Sequence, residues 1–246
     1  MDIHKPKAAH SWREFLIEIG TIVCGILIAL GLEQVVLRAE WAHKVEAAEE
    51  AMRHELLWDD GPQVYQRVAM HDCLVGRLND IRQAIEQGKP RSELVQLING
   101  YHVAFLSYDT RARDDASHAG VTDHMSKAAL AVWDGAYNQM PFMERTNADE
   151  ATAIGHLRAI QHSGGALSEA ERSRVLDAVE ELRVLEFRMW GAGAFVLPHI
   201  RKLGSLDPGR MDRFLNEARD WYGSACVKDL PLGWTLPPGV DTSEVQ

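Results

Sequence analysis

Histidine and carboxylate side chains are the groups in this sequence that could bind a metal ion, and the chain contains 11 histidines. Their densest group along the chain is His118 and His124 with Asp114, Asp115 and Asp123. Metal sites place their ligands on one side of an element, as in HExxH or CxxC, and these histidines have neither spacing. We therefore predict a solvated loop here, and no metal or cofactor. A metal site in this group is the alternative.

Cys73 lies directly after His71 and Asp72, which are residue types that can activate a cysteine nucleophile. Catalysis needs the nucleophile and the base to meet in space, whereas adjacent helical residues point about 100° apart. The motifs GxGxxG, GxxxxGK(S/T), GxSxG and SxxK, which position phosphates or serine nucleophiles, are absent from the sequence. We predict no catalytic residues and favour a protein that is not an enzyme.

The most apolar segment of the chain is residues 15–37, FLIEIGTIVCGILIALGLEQVVL. As an α-helix it measures about 34 Å, which is enough to cross a hydrocarbon core of roughly 30 Å. Trp12 and Arg13 precede it, as expected for an interfacial aromatic residue and a cation that reaches the headgroups. The segment therefore predicts one membrane-spanning helix.

The orientation of this helix is predicted from the positive charges on either side of it. The three basic residues and the α-amine within 1–14 slightly outnumber the three basic residues that follow the span, up to Arg53. By the positive-inside rule we predict a single-pass protein of a bacterial inner membrane, with residues 1–14 in the cytoplasm and the C-terminal domain in the periplasm. A cleaved signal peptide is the alternative, because Ala29 and Gly31 form a small-x-small site, although Glu18 interrupts the apolar core that such a peptide needs.

Small and polar residues share one face of the predicted membrane helix. Glu18, Thr21, Gly25 and Ala29 lie within about 40° of one line along an α-helix. Small residues spaced by four let two backbones approach closely in lipid, and a glutamate in a membrane favours a protein-facing position. We predict that this face packs on another membrane helix, from a second copy or a partner. The alternative is that Glu18 reaches the headgroups and the small residues contact lipid.

The segment SWREFLIEIGTIVCGILIALGLEQ, Ser11 to Gln34, resembles the N-terminus of a group of uncharacterised single-pass membrane proteins common in proteobacteria. Their anchor reads as an EIG stretch followed by GILIAL and a charged helix. The resemblance covers this segment only. It implies an inner-membrane protein and carries no active site over to this chain.

The rest of the chain shows helical periodicity with no strand-type alternation. No Gly or Pro lies between Gly31 and Gly61, so we predict a rod that continues the membrane helix, breaks at Asp60, Gly61 and Pro62, and pairs antiparallel with a second helix. The helices predicted after the break are at about 64–85, 92–105, 123–138, 141–162, 168–204 and 208–222.

Local signals refine this all-α prediction. Ser168 and Glu171 form a capping box, and the polar stretch YDTRARDDASHAG between the third and fourth helices is predicted to be a loop or the mouth of a site. We expect residues 38–222 to form an antiparallel helical bundle. Residues 223–246 are predicted to be an irregular, proline-containing tail.

The chain has three cysteines, of which Cys24 lies in the predicted membrane helix. Cys73 and Cys226 are the candidate pair for a disulfide, which would persist only in an oxidising compartment. Closing so long a loop would stabilise the domain by roughly 4 to 5 kcal/mol in the chain-entropy model. Two buried free thiols are the alternative.

The formal net charge of −10 would repel nucleic-acid phosphates, so we predict no nucleic-acid partner. The bilayer and another membrane helix are the predicted partners. We therefore expect a membrane-anchored periplasmic module that works by binding or assembly. The alternative is a membrane-tethered enzyme or small-ligand sensor that uses the polar region 109–124.

Overall fold

The computed structural model describes residues 12–162 and 164–230, and this part of the chain contains helices, turns and irregular segments but no strand. The all-α prediction is confirmed. Contacts divide the chain into two compact units, with the division after Ala47. The α-helices are α1 (Trp12–His54), α2 (Gly61–Glu86), α3 (Arg91–Gly100), α4 (Arg111–His118), α5 (Lys127–Tyr137), α6 (Met140–Arg158), α7 (Glu169–Leu203) and α8 (Pro208–Tyr222).

The predicted break at Asp60, Gly61 and Pro62 is wrong. A π-helical segment, Glu55–Asp60, joins α1 to α2, so that the chain is helical without interruption from Trp12 to Glu86. The antiparallel pairing predicted for the two helices on either side of this point therefore does not form.

Contacts with the start of α8 explain why Gly61 and Pro62 do not end the helix. A side chain at position 61 would collide with Leu206, so the glycine permits close packing. Pro62 has no N–H to give to the preceding turn. The carbonyl of Leu57 accepts a hydrogen bond from the Asp207 N–H instead, at 3.3 Å. These contacts come from residues far along the chain.

The core of the second unit lies between α2, α6 and α7, whose apolar faces pack on one another. Gly193 of α7 lets Val68 of α2 approach to 2.9 Å from the position that a Cβ atom would occupy. The predicted capping box at the start of α7 is confirmed, with the side chains of Ser168 and Glu171 each bonded to the other's backbone N–H. Pro198 lies within α7, which ends at Leu203.

The segment between α3 and α5 differs most from the sequence-based prediction. The third helix ends at Gly100 instead of near Phe105, and residues 101–110 are irregular. Part of the stretch predicted to be a loop forms α4, which is followed by a short 3-10 turn, Thr122–His124. α5 begins after Ser126, whose side chain accepts a hydrogen bond from the Ala129 N–H at 3.1 Å.

After α8 the chain makes one 3-10 turn, Ser224–Cys226, and is otherwise irregular up to residue 230, where part of it lies along α2. The Lys228 N–H donates to the Ala69 carbonyl at 3.3 Å, and the Leu230 N–H donates to the Tyr65 hydroxyl at 2.7 Å. The Lys228 ammonium also pairs with Asp72 at 2.6 Å. Residues 231–246 of the predicted tail lie outside the described residues.

Candidate functional site

The four residues of the predicted membrane-packing face all lie on α1. Glu18, Thr21, Gly25 and Ala29 are exposed, and no atom of the chain lies within 4 Å of the Cβ position at Gly25. The Thr21 hydroxyl donates to the carbonyl of Ile17 at 2.8 Å, which leaves it little need for another partner. The most apolar 18-residue window of this helix has a mean hydropathy of 2.4, and none of it is buried. This window makes the helix a candidate membrane span near the N-terminus.

Cys73 of α2 and Cys226, after α8, are joined by a disulfide, with their Cα atoms 5.0 Å apart. The residues are separated by 153 positions, so the bond ties the end of the described chain to α2. Cys24 is a free cysteine on the exposed part of α1. His71 and Asp72 therefore do not flank a free thiol, and the cysteine-nucleophile arrangement is not formed.

The histidine and carboxylate group predicted to lie in a solvated loop is exposed. His118 ends α4, and Asp123 and His124 lie in the following 3-10 turn. The described residues contain no group of three or more His, Cys, Asp or Glu side chains placed to hold a metal ion. The first residues of the polar region 109–124 lie near acidic side chains of other segments.

These first residues line an open cleft at the π segment, which we call the π cleft. Its volume is about 460 Å³. The lining residues are Ala51, His54, Glu55, Asp59, Asp60, Gln63, Ser107, Asp109 and Arg111. In a π-helix the backbone hydrogen bonds join residues five apart, so Asp60 lies on the same side of the helix as Glu55, which would not be the case in an α-helix. The π-helical segment therefore places both acidic side chains at one cleft.

Asp60 is the most buried carboxylate of the π cleft, with 1% of its surface exposed. Its Oδ1 accepts a hydrogen bond from the Asp109 N–H at 3.2 Å, whereas Oδ2 has no partner in the described part of the chain. The pKa of Asp60 is raised from 3.8 to about 8, mainly by burial; the hydrogen bond from Asp109 opposes this rise, and the nearby carboxylates of Glu55, Asp109 and Asp59 add to it. The folded protein therefore favours the protonated acid.

The other acidic groups of the π cleft have partners. The Glu55 carboxylate accepts hydrogen bonds from the Tyr137 hydroxyl at 2.8 Å and the Ala112 N–H at 3.0 Å, and burial raises its pKa despite both bonds. Asp59 pairs with Arg210 at 2.7 Å, and Asp109 pairs with Arg111 at 2.8 Å. Glu55 and Asp60 have no ion pair within the described ranges, so the fold pairs no cation with either of these two carboxyl groups.

A second acidic centre, the Arg67 cluster, consists of Arg67, Glu150 and Glu186. The Arg67 Nη2 lies 2.6 Å from Glu150 Oε1 and 2.8 Å from Glu186 Oε2, and the three side chains are at most 1% exposed. They come from α2, α6 and α7, so the cluster ties the three core helices together. Burial lowers the pKa of Arg67, but the two carboxylates outweigh this and hold it above its usual range.

The Arg67 cluster has one carboxylate more than it has cations. Burial raises the pKa of Glu150, the Arg67 guanidinium opposes the shift, and the adjacent Glu186 raises it again. The buried hydroxyls of Tyr101 and Tyr108 have no hydrogen-bond partner in the residues that the structure describes. Because its carboxylates already have an internal cation, we interpret this cluster as structural.

Sequence reasoning missed both acidic centres. The sequence did indicate that charged residues of the Arg67 cluster lie on the apolar faces of their helices. Arg67 is three residues after Val64, and Glu186 is four residues after Leu182, which are the spacings of one helical face. The signal for the π cleft was weaker, because Asp59 and Asp60 before Gly61 and Pro62 are typical of a turn.

Comparison of the chain with protein-family models, with curated proteins and with solved structures gives no match. The functional argument therefore rests on the chain's own residues.

Proposed function

We propose that the protein is a single-pass protein of a bacterial inner membrane, anchored by residues 15–37, with a periplasmic domain that works by binding or assembly. The observation that carries the proposal is the apolar window of α1, which has a mean hydropathy of 2.4 and is not covered by any part of the described chain. So large an apolar surface needs lipid or another protein around it.

The Cys73–Cys226 disulfide supports the periplasmic side, because structural disulfides persist in oxidising compartments and are rare in the cytosol. With residues 1–14 in the cytoplasm, this proposal assigns the helical domain that follows the anchor to the periplasmic side of the membrane. This orientation also agrees with the slight excess of positive charge before the span.

In this proposal the assembly surface is the face of α1 that carries Glu18, Thr21, Gly25 and Ala29. It binds a second copy of the anchor or the membrane helix of a partner. Small residues at this spacing allow the close backbone contact on which helix association in lipid depends, and a protein partner removes Glu18 from lipid.

Two measurements test the proposal. The first counts free thiols in the denatured, membrane-purified protein with a mass-shifting maleimide, before and after reduction. We expect one free thiol, from Cys24, to become the three that the sequence contains, on a chain of full-length mass. Three free thiols before reduction would place the domain in the cytoplasm, and a chain that starts near Leu32 would mean a cleaved signal peptide.

The second measurement compares crosslinked species in mild detergent for Gly25→Leu and for Gly20→Leu. Gly20 lies in the same span but about 140° around the helix from Gly25, and its Cβ position is also open, so it is a matched control. We expect Gly25→Leu alone to reduce self-association or partner recovery. Equal crosslinking in the two variants and the wild type would remove the assembly surface from the proposal.

A further inference from the structure

The π cleft differs from an ordinary acidic surface because the fold holds its acidic side chains in fixed positions. The π winding brings Glu55 and Asp60 to one side, and Asp109 arrives from the irregular segment before α4. Each is fixed by a contact with a distant part of the chain, such as the 2.8 Å hydrogen bond from Tyr137 to Glu55. π-helical turns within α-helices occur frequently at functional sites.

The state of Asp60 is an independent observation that points to a ligand. This side chain is 1% exposed and lines the cleft, yet its Oδ2 has no hydrogen-bond partner among the described residues. A buried polar atom without a partner is costly, by roughly 1 to 3 kcal/mol, and native proteins rarely keep one without a reason. A donor from outside the chain would satisfy it.

We propose that the π cleft binds a small organic cation whose ammonium group lies beside Asp60. An ammonium group has three N–H donors and no acceptor, which suits a cleft in which the carboxyl groups of Glu55 and Asp60 have no ion pair among the described residues. The charge of the bound ammonium group favours the ionised form of Asp60, whose proton passes to the solvent on binding. Charge-assisted hydrogen bonds of this kind are about twice as strong as neutral ones. The inference does not depend on the anchor or on the compartment of the domain.

Two features define the class of ligand. No metal-type group of His, Cys, Asp and Glu side chains exists in the described part of the chain, so a bare divalent ion lacks its ligand set. The cleft volume of about 460 Å³ lies within the range of small-molecule sites, which runs from roughly 300 to 1,000 Å³.

The test is a ligand-observed NMR titration of the full-length protein in detergent micelles. The probe is propylamine, and propanol, which has the same shape and no charge, is the control ligand. We expect the amine to bind and the alcohol not to bind. Asp60→Asn should weaken amine binding by about tenfold or more, the effect of losing a hydrogen bond to a charged group.

Asp80→Asn is the matched control, because Asp80 lies on the exposed side of the same helix α2. It should leave the affinity for propylamine unchanged. Ser107→Lys serves as a second variant, since Ser107 is exposed at the cleft and its replacement can place an ammonium group there without disturbing the core. It too should weaken binding, by competition for the same carboxylates.

The proposal is overturned if the wild type binds neither ligand, if it binds the alcohol as well as the amine, or if Asp60→Asn folds and keeps wild-type affinity. If Asp60→Asn does not fold, Ser107→Lys decides: wild-type affinity in that variant overturns the proposal, and a loss of affinity supports it.

Discussion

The π cleft and the Arg67 cluster both place buried carboxyl groups beside the helical run from Trp12 to Glu86, and they differ in the source of the balancing cation. In the Arg67 cluster the guanidinium is internal and contacts both carboxylates, at 2.6 and 2.8 Å. In the π cleft Asp60 is equally buried but has only the Asp109 N–H to bond. In the Arg67 cluster the fold itself supplies the cation, whereas in the π cleft the proposed ligand would supply it.

The consequences for stability are also different. Removing one member of a buried ion pair leaves an uncompensated charge, which is far more costly than removing an exposed partner. The loss of Arg67 should therefore lower the free energy of unfolding strongly. In the π cleft, Arg111 and Arg210 pair with partly exposed carboxylates, so the contribution of the cleft to stability should depend mainly on pH.

Replacing Arg67 by Met gives the largest expected effect. The change leaves Glu150 and Glu186 buried without their cation, so we expect the free energy of unfolding to fall by about 3 to 5 kcal/mol. Urea unfolding of the full-length protein in detergent, followed by circular dichroism, measures it.

The control for this variant is Arg210→Met, which removes the cation paired with Asp59 beside the π cleft. That pair is partly exposed, at 28% and 41%, and the hydrogen bond from Arg210 to the Trp58 carbonyl is exposed, so water can replace both contacts and their loss should cost only about 1 kcal/mol. Equal losses in the two variants would contradict the distinction between the two centres.

The pH dependence of stability tests the π cleft, with an intermediate expected effect. Burial raises the pKa of Asp60 from 3.8 to about 8, so the folded state holds a proton that the unfolded state releases. The resulting stabilisation is fully present below pH about 4 and is lost as the pH rises through about 8. Between about pH 5 and pH 8 we expect Asp60 to contribute a loss of roughly 3 kcal/mol.

Asp60→Asn isolates this contribution, because the amide cannot ionise and the histidines titrate equally in both proteins. The difference in unfolding free energy between variant and wild type should grow in favour of the variant as the pH rises from about 5 to 8. Parallel curves for the two proteins over this range would show that Asp60 is ionised at neutral pH and that the cleft does not hold its carboxyl in a neutral state.

The elements set by local sequence were predictable, and those set by distant contacts were not. Ser168 and Glu171 are three residues apart, so the start of α7 could be read directly from the sequence. The same holds for the apolar run of α1 and for the apolar faces of α2 and α7, since helical periodicity is a local property.

The π segment shows why the rest could not be predicted. Gly61 and Pro62 end most helices, and their local preference was overridden here because Asp207 and Arg210 satisfy the carbonyls of Leu57 and Trp58. The Arg67 cluster likewise joins residues 83 and 119 positions apart. The sequence shows that these charged residues lie on the apolar faces of their helices, but it does not show which residue each of them pairs with.

The smallest expected effect comes from Glu150→Gln. This variant tests whether the stability of the Arg67 cluster depends on the ionised form of both carboxyl groups that contact Arg67. The amide keeps an acceptor for Arg67 and removes a charge that burial and Glu186 both disfavour, so the unfolding free energy at neutral pH should change by no more than about 1 kcal/mol. The pKa of Glu150 is raised from 4.5 to about 7 in the folded protein, so stability is lost as the pH rises from about 4.5 through 7, and the variant should gain on the wild type over that range. A loss as large as that of Arg67→Met, measured by the same urea curves, would mean that both carboxylates are ionised and that the cluster depends on the pair.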